Sequence, residues 1–205
     1  MPTDRGLRTR EAIVAQGVEL ACRAGLGGLT IGSLATEVGL SKSGMYAHFG
    51  SKEALQVAVL DAAAADFADE VVLPALRAPR GEARVLALFE GWLACTFMHH
   101  PGGCLFVKAS NELDEQPGAV RDRLREQHEE LFATIARIVG GGIAEGHFRR
   151  DLDPQQFAVD LYGVILACYH GHRLMGDPLA EARARAAVTA LLDASRTSTR
   201  KADPP

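Results

Sequence analysis

The sequence predicts an all-α chain, and three observations carry that prediction. Apolar residues recur at i, i+3, i+4 and i+7 along most of the 205 residues. Glycine and proline clusters interrupt those runs at helix-length intervals. No alternating apolar–polar run bounded by hairpin turns occurs. The composition, 47% hydrophobic and 23% charged, suits a globular core and excludes wholesale disorder.

The first helix is expected over Arg8–Ala24, with Ile13, Gly17, Leu20, Ala21 and Ala24 on one face and Gly25, Gly27 and Gly28 ending it. Thr30 is placed to cap a short second helix, because its hydroxyl can accept from a free backbone N–H. Ile31, Leu34, Ala35 and Val38 form that helix's apolar face, and Gly39 breaks it. Ser41 caps a third helix carrying Lys42, Ser43, Met45, Tyr46, His48 and Phe49. Gly50 stops the third, and Ser51 caps a long fourth through about Val72.

Pro74, Pro79 and Gly81 mark the next connection, and a fifth helix runs to about Thr96–His99. Pro101-Gly102-Gly103 breaks the chain before a sixth helix that reaches Leu113. Pro117 suits the first turn of a seventh helix, with Val120, Leu124, Leu131, Ile135 and Ile138 in heptad-like spacing. Gly140–Gly142 weaken it locally, each by about 1 kcal/mol relative to alanine. Asp153-Pro154-Gln155-Gln156 is a strong start signal for an eighth helix: acidic cap, proline at N1, glutamine at N3. Gly176-Asp177-Pro178 ends it, and a last helix reaches Ala194. The domain reading is 1–55, 56–195 and a disordered tail over 196–205.

Charge and cysteine content narrow the function classes. The net charge of −4 does not itself suggest a nucleic-acid partner. Residues 1–55 nonetheless hold six basic against five acidic side chains, so a mildly basic head precedes an acidic body. No apolar run is long enough to span a membrane, and no secretory core follows the N-terminus. Cys22, Cys95, Cys104 and Cys168 form no C-x-x-C pair, so neither a disulfide scaffold nor a cysteine-rich zinc site is expected, and a reduced cytoplasm is the default address.

The segment Thr30–Phe49 has the mechanics of a helix-turn-helix. Two short helices meet across a tight break, Gly39 supplies the positive φ, and Ala35 is small enough for close approach. The second helix opens with Ser41, Lys42 and Ser43, the positions that face base edges and phosphates in such motifs. Thr30, the Ala35…Gly39 spacing, Tyr46-x-His48-Phe49 and Ser51-Lys52-Glu53-x-Leu55 together resemble the N-terminal signature of the TetR family of transcriptional regulators, over about residues 8–60. A departure is Gly44, where threonine is common in that family, so no side chain there can touch DNA.

The resemblance implies an N-terminal three-helix DNA-binding domain followed by a helical ligand-binding and dimerisation domain. On that basis Lys42 is placed for a guanine edge or a phosphate, and Ser41 and Ser43 for either. Tyr46 can pack a thymine methyl, and Thr30, His48 and Lys52 can meet phosphates. Met45 and Phe49 are read as core, and Arg10 and Arg23 as solvated or paired. The implied partners are an operator duplex, a second copy of the chain and a small, mainly apolar effector, without a membrane role. The dimer stripe is read at Leu161, Ile165 and Cys168 of the eighth helix and Ala184, Ala187 and Leu191 of the last. Ligand-wall candidates, by register, are Leu93, Phe97, Leu105, Phe106, Leu131 and Tyr162.

An enzyme is the competing class. His99, His100 and Cys104 gather near a break but lack an orienting third group. His170 and His172 differ by about 200° on a helix and cannot chelate together. Cys168 and His172 are i, i+4, but two ligands do not make a metal site. No catalytic function, cofactor or metal is therefore expected. The alternative mode of regulation is thiol-based sensing of an electrophile or oxidant through Cys104, on the expectation that a helix N-terminus lowers its pKa.

Overall fold

A computed structural model describes residues 4–99 and 102–197. Among the described residues, ten α-helices span Asp4–Gly28 (α1), Ile31–Glu37 (α2), Lys42–Phe49 (α3), Lys52–Phe67 (α4), Leu73–Arg77 (α5), Glu82–Ala94 (α6), Leu105–Leu113 (α7), Ala119–Ala144 (α8), Pro154–Arg173 (α9) and Ala180–Ser195 (α10). π-Helical segments cover Ala68–Val72 and Cys95–His99. Among the described residues there is no strand, only one isolated antiparallel bridge between Phe148 and Arg196. No described helix is long and apolar enough to cross a membrane.

The predicted caps form. Thr30 accepts from Ser33 N–H, and the Ser33 hydroxyl accepts from Thr30 N–H, a closed capping box. Ser41 accepts from Gly44 N–H and Ser51 from Ala54 N–H. Asp153 accepts from Gln155 and Gln156 N–H, with Pro154 in the first turn. The Gln156 side chain does not reach back to close a box; it turns forward and donates to Asp160 at 2.8 Å.

Several boundaries differ from expectation. α1 continues one turn past its expected end, across a kink where Gly25 takes φ 76°, and Ala24 beside that kink is exposed. The fourth helical run does not stop at Val72. It passes through the π segment into α5, with Pro74 in the first turn; proline offers no N–H to the ordinary ladder, and the wider register absorbs the loss. Pro117 lies outside α8, because Gly118 at φ 147° cannot be helical and the helix starts at Ala119. The three glycines near its end stay helical. A side chain at Gly142 would strike the Phe148 ring at 2.6 Å, so its absence makes room for the ring.

The chain divides into two compact units. One comprises residues through Glu70 together with Ala94–His128; the other comprises Val71–Leu93 together with residues from Glu129 onward. The first unit therefore holds more than residues 1–55: α4 and α7 belong to it. Its core joins Ile13, Ala21, Leu34, Met45, Phe49 and Val59 to Leu105 and Ala109 of α7. A Cβ at Gly17 would lie 2.7 Å from Val59, so glycine there permits the α1–α4 approach.

In the second unit α9 packs against α10, and Leu88, Phe89, Ile135, Phe148, Phe157 and Leu161 are buried. Phe132 meets Tyr162 edge-on at 5.2 Å. The start of the expected tail is fastened: Ser195 is buried, its carbonyl accepts from Arg149 N–H, and Arg196 grips Glu82 with two bonds. Residues 198–205 of that tail lie outside the described residues, as do His100 and the side chain of His99.

Candidate nucleic-acid interface

The head presents its recognition helix with little holding it. Met45 and Phe49 plug α3 into the core, while Ser41, Lys42, Ser43 and Tyr46 are exposed, Tyr46 by 53%. Gly39 takes φ 67° in the turn and Gly50 φ 73° after α3, both left-handed conformations that other residues rarely adopt. The Ser41 and Ser43 hydroxyls lie 3.0 Å apart. Gly32 leaves space for the Lys42 stem, whose Cε would stand 3.2 Å from a Cβ there, so Lys42 folds over the first turn of α2 on the side where Thr30 caps it. Thr30 is exposed, with its hydroxyl engaged in the cap.

Two predicted contacts are less free than the others. His48 is half-buried and packs 6.3 Å from the Phe49 ring centroid. Lys52 is exposed, but its ammonium donates to Gly27 O at 3.4 Å, tying α4 to the end of α1. Arg10 lies over the Phe49 ring at 5.1 Å, and Arg23 pairs with Glu37 at 2.6 Å, in line with their structural reading.

The body residues are distributed across both units. Phe97, Cys104, Leu105 and Phe106 belong to the first, and Leu93, Leu131 and Tyr162 to the second. Leu93 and Leu105 are buried, and Phe97, Phe106, Leu131 and Tyr162 are half-buried. None of them lines the groove of about 520 Å³ between α8 and the start of α9, whose walls include Phe132, Val159, Glu129 and Asp153.

The expected dimer stripe is mostly filled from within. Leu161, Ile165, Cys168 and Ala184 are buried in the protomer's own core; Leu191 is half-buried and Ala187 exposed. The outward faces of α9 and α10 carry Val159, Gly163, Leu166, Ala186 and Ala190 beside Ala187.

The cysteines run against the expected activation. Cys104 is half-buried at the N-cap of α7; its desolvation is the larger influence and raises its pKa, against the lowering by the Val107 and Phe106 N–H groups. Burial likewise pushes Cys22 to about 11, Cys95 to about 12 and Cys168 to about 11. Cys168 is buried while His172 is exposed, and no group of three potential ligands holds a metal-binding arrangement among the described residues.

Three polar side chains escaped the sequence reading. Gln56, buried on α4, donates to Leu26 O at 2.7 Å. Gln127 interrupts the apolar stripe of α8; its Nε2 donates to Asp61, which Arg123 also holds, while its Oε1 is buried with no partner. Lys108 on α7 binds the end of α1. A polar residue on an otherwise apolar helix face is the signal that could have found the two glutamines.

A profile described as "Bacterial regulatory proteins, tetR family" matches residues 13–59, and one described as "Tetracyclin repressor-like, C-terminal domain" matches residues 81–188. Among curated proteins, none matches this chain. Among solved structures, a TetR transcriptional regulator from Chloroflexus aurantiacus J-10-FL is 25% identical with a TM-score of 0.86, covering 96% of this chain and 100% of that one. The reduced form of Escherichia coli NemR is 23% identical with a TM-score of 0.76, covering 94% and 99%. AibR in complex with isovaleryl coenzyme A and operator DNA is 19% identical with a TM-score of 0.65, covering 85% and 95%.

Proposed function

Because the chain belongs to the TetR family of transcriptional regulators, we propose that it is a homodimeric, cytoplasmic repressor released from a near-palindromic operator by a small effector. The carrying observation is the start of α3: Ser41, Lys42, Ser43 and Tyr46 are exposed on a head whose core closes without them. Lys42 supplies the charge and reach for a guanine edge or a phosphate, Ser41 and Ser43 supply hydroxyls, and Tyr46 an aromatic edge. Thr30, His48 and Lys52 stand around this surface as phosphate partners. A two-fold dimer presents two equal heads, so the operator mirrors that symmetry.

The exposed apolar faces of α9 and α10 are the proposed dimer surface, with Leu166 and Ala187 near its centre. The effector in this reading is small and mainly apolar. AibR, similar in fold, is a precedent for such a fold holding a small molecule, isovaleryl coenzyme A, together with operator DNA. Electrophile sensing at Cys104 is the weaker reading: the thiolate is the reactive form, and burial works against it.

Genomic pull-down followed by footprinting tests the proposal. A symmetric footprint is expected; no enrichment over sheared genomic DNA would overturn it. Lys42→Ala should lower the salt slope of binding by about one if Lys42 meets a phosphate. It should instead erase about 1–3 kcal/mol of discrimination at one base position if it reads guanine.

A further inference from the structure

The end of α1 is where the chain leaves its longest head helix to enter the helix-turn-helix, and α7 holds that end by charge-matched contacts. Lys108 donates its ammonium to the carbonyls of Cys22 at 2.6 Å and Arg23 at 3.0 Å. One turn on, Glu112 accepts from Gly27 N–H at 2.8 Å. These two side chains are i, i+4 on α7 and so share one face. The cation meets helix-end carbonyls, which carry partial negative charge, and the carboxylate meets the amide exposed beyond the kink.

Backbone shape makes the grip specific. Gly25 turns through φ 76°, and a Cβ there would lie 1.8 Å from Glu112 Oε1, so the carboxylate occupies the space a side chain would take. A Cβ at Gly102 would lie 2.3 Å from Cys22 O, so the approach to α7 also rests on the α1 backbone. From the gripped segment the chain reaches the Thr30 cap in three residues, and Ser33 of α2 donates to Gly28 O at 3.1 Å.

We propose that Lys108 and Glu112 are positioning residues for operator recognition. They touch no DNA. They set the exit angle of α1 and so the attitude of α2 and α3. Short charge-assisted bonds resist stretching, so a displacement of α7 carries residues 22–28 with it. Cys104, Leu105 and Phe106 begin the same helix, one turn before Lys108. The inference rests on the operator-binding reading.

The test compares Lys108→Met and Glu112→Leu with the conservative Lys108→Arg and Glu112→Gln in the full-length dimer. Affinity is measured for the footprinted operator and for sheared genomic DNA. The disruptive variants should lose about 5- to 150-fold in operator affinity, the usual span of coupling between sites, with sheared-DNA binding unchanged and partial rescue in the conservative pair. Equal operator affinity in all proteins overturns the proposal. So does a parallel loss on both DNAs, which marks an unfolded head rather than a misplaced one. If the disruptive variants fail to fold, hydrogen exchange of the unaltered protein decides: the Gly27 amide should be protected to the level of the α7 amides, and free exchange there overturns the grip. Absence of any preferred DNA would defeat the repressor reading instead, and the exchange measurement would still judge the grip by itself.

Discussion

Of the eight residues of α3, only Met45 and Phe49 are buried, whereas α10 buries Ala180, Ala184, Val188, Leu192 and Ser195 in a stripe along its whole length. The recognition helix is held by two plugs, a serine cap and a glycine stop, which leaves its outer face free for a partner. The closing helix is held by area. In the first case stability is local and polar groups at the ends matter; in the second it is shared with α9 and depends on packing. A helix fastened at few points keeps its outer surface open.

The sharpest way to break this comparison is to remove packing from the second unit. Phe148 is 1% exposed and sits between Gly142 and Phe157. Phe148→Ala should cost about 3–5 kcal/mol, seen as a fall in denaturation midpoint. A loss below about 1 kcal/mol would show that area does not hold this region.

The second test separates the two faces of α9. Leu161→Glu would bury an unpaired charge in the protomer and should destabilise folding by about 3–5 kcal/mol. Leu166 is itself 36% exposed on the outward face, so Leu166→Glu should leave helical signal intact while sedimentation reports monomer. A dimer of unchanged affinity in Leu166→Glu would place the interface elsewhere.

Caps come next. Ser51→Ala removes the acceptor for Ala54 N–H and should cost about 1 kcal/mol, or about 2–4 °C in Tm. No change would mean that packing alone fastens the start of α4.

The smallest effect is a pH dependence in the second unit. The Arg196 guanidinium bonded to Glu82 holds that carboxyl below its usual value of 4.5. A depressed folded-state pKa gives stability that is present above 4.5 and lost as pH falls through the folded value. Acid titration of stability should therefore show a shallow extra loss below 4.5 that Glu82→Gln removes. An identical acid limb in both proteins would show that the surface pair contributes nothing.

Local chemistry was legible because its causes are local. Thr30, Ser41, Ser51 and Asp153 cap helices through hydrogen bonds to residues two or three positions away, and Gly39 and Gly50 turn the chain by themselves. The exposed Lys42 and Tyr46 and the buried Met45 and Phe49 follow what the resemblance to the family implied. Faces and distant partners were decided by the tertiary structure. Sequence spacing places Leu161 and Ala184 on stripes, but only packing shows that the protomer itself fills them. Pro74 reads as a stop until a π segment carries the helix past it. Cys104 has the helix N-terminus expected of it, but burial, set by surrounding residues far along the chain, raises its pKa. Lys108 and Glu112 reach the end of α1 from about 85 positions away. Such contacts have no periodic signature, because what selects them is the folded geometry that brings two helix ends together.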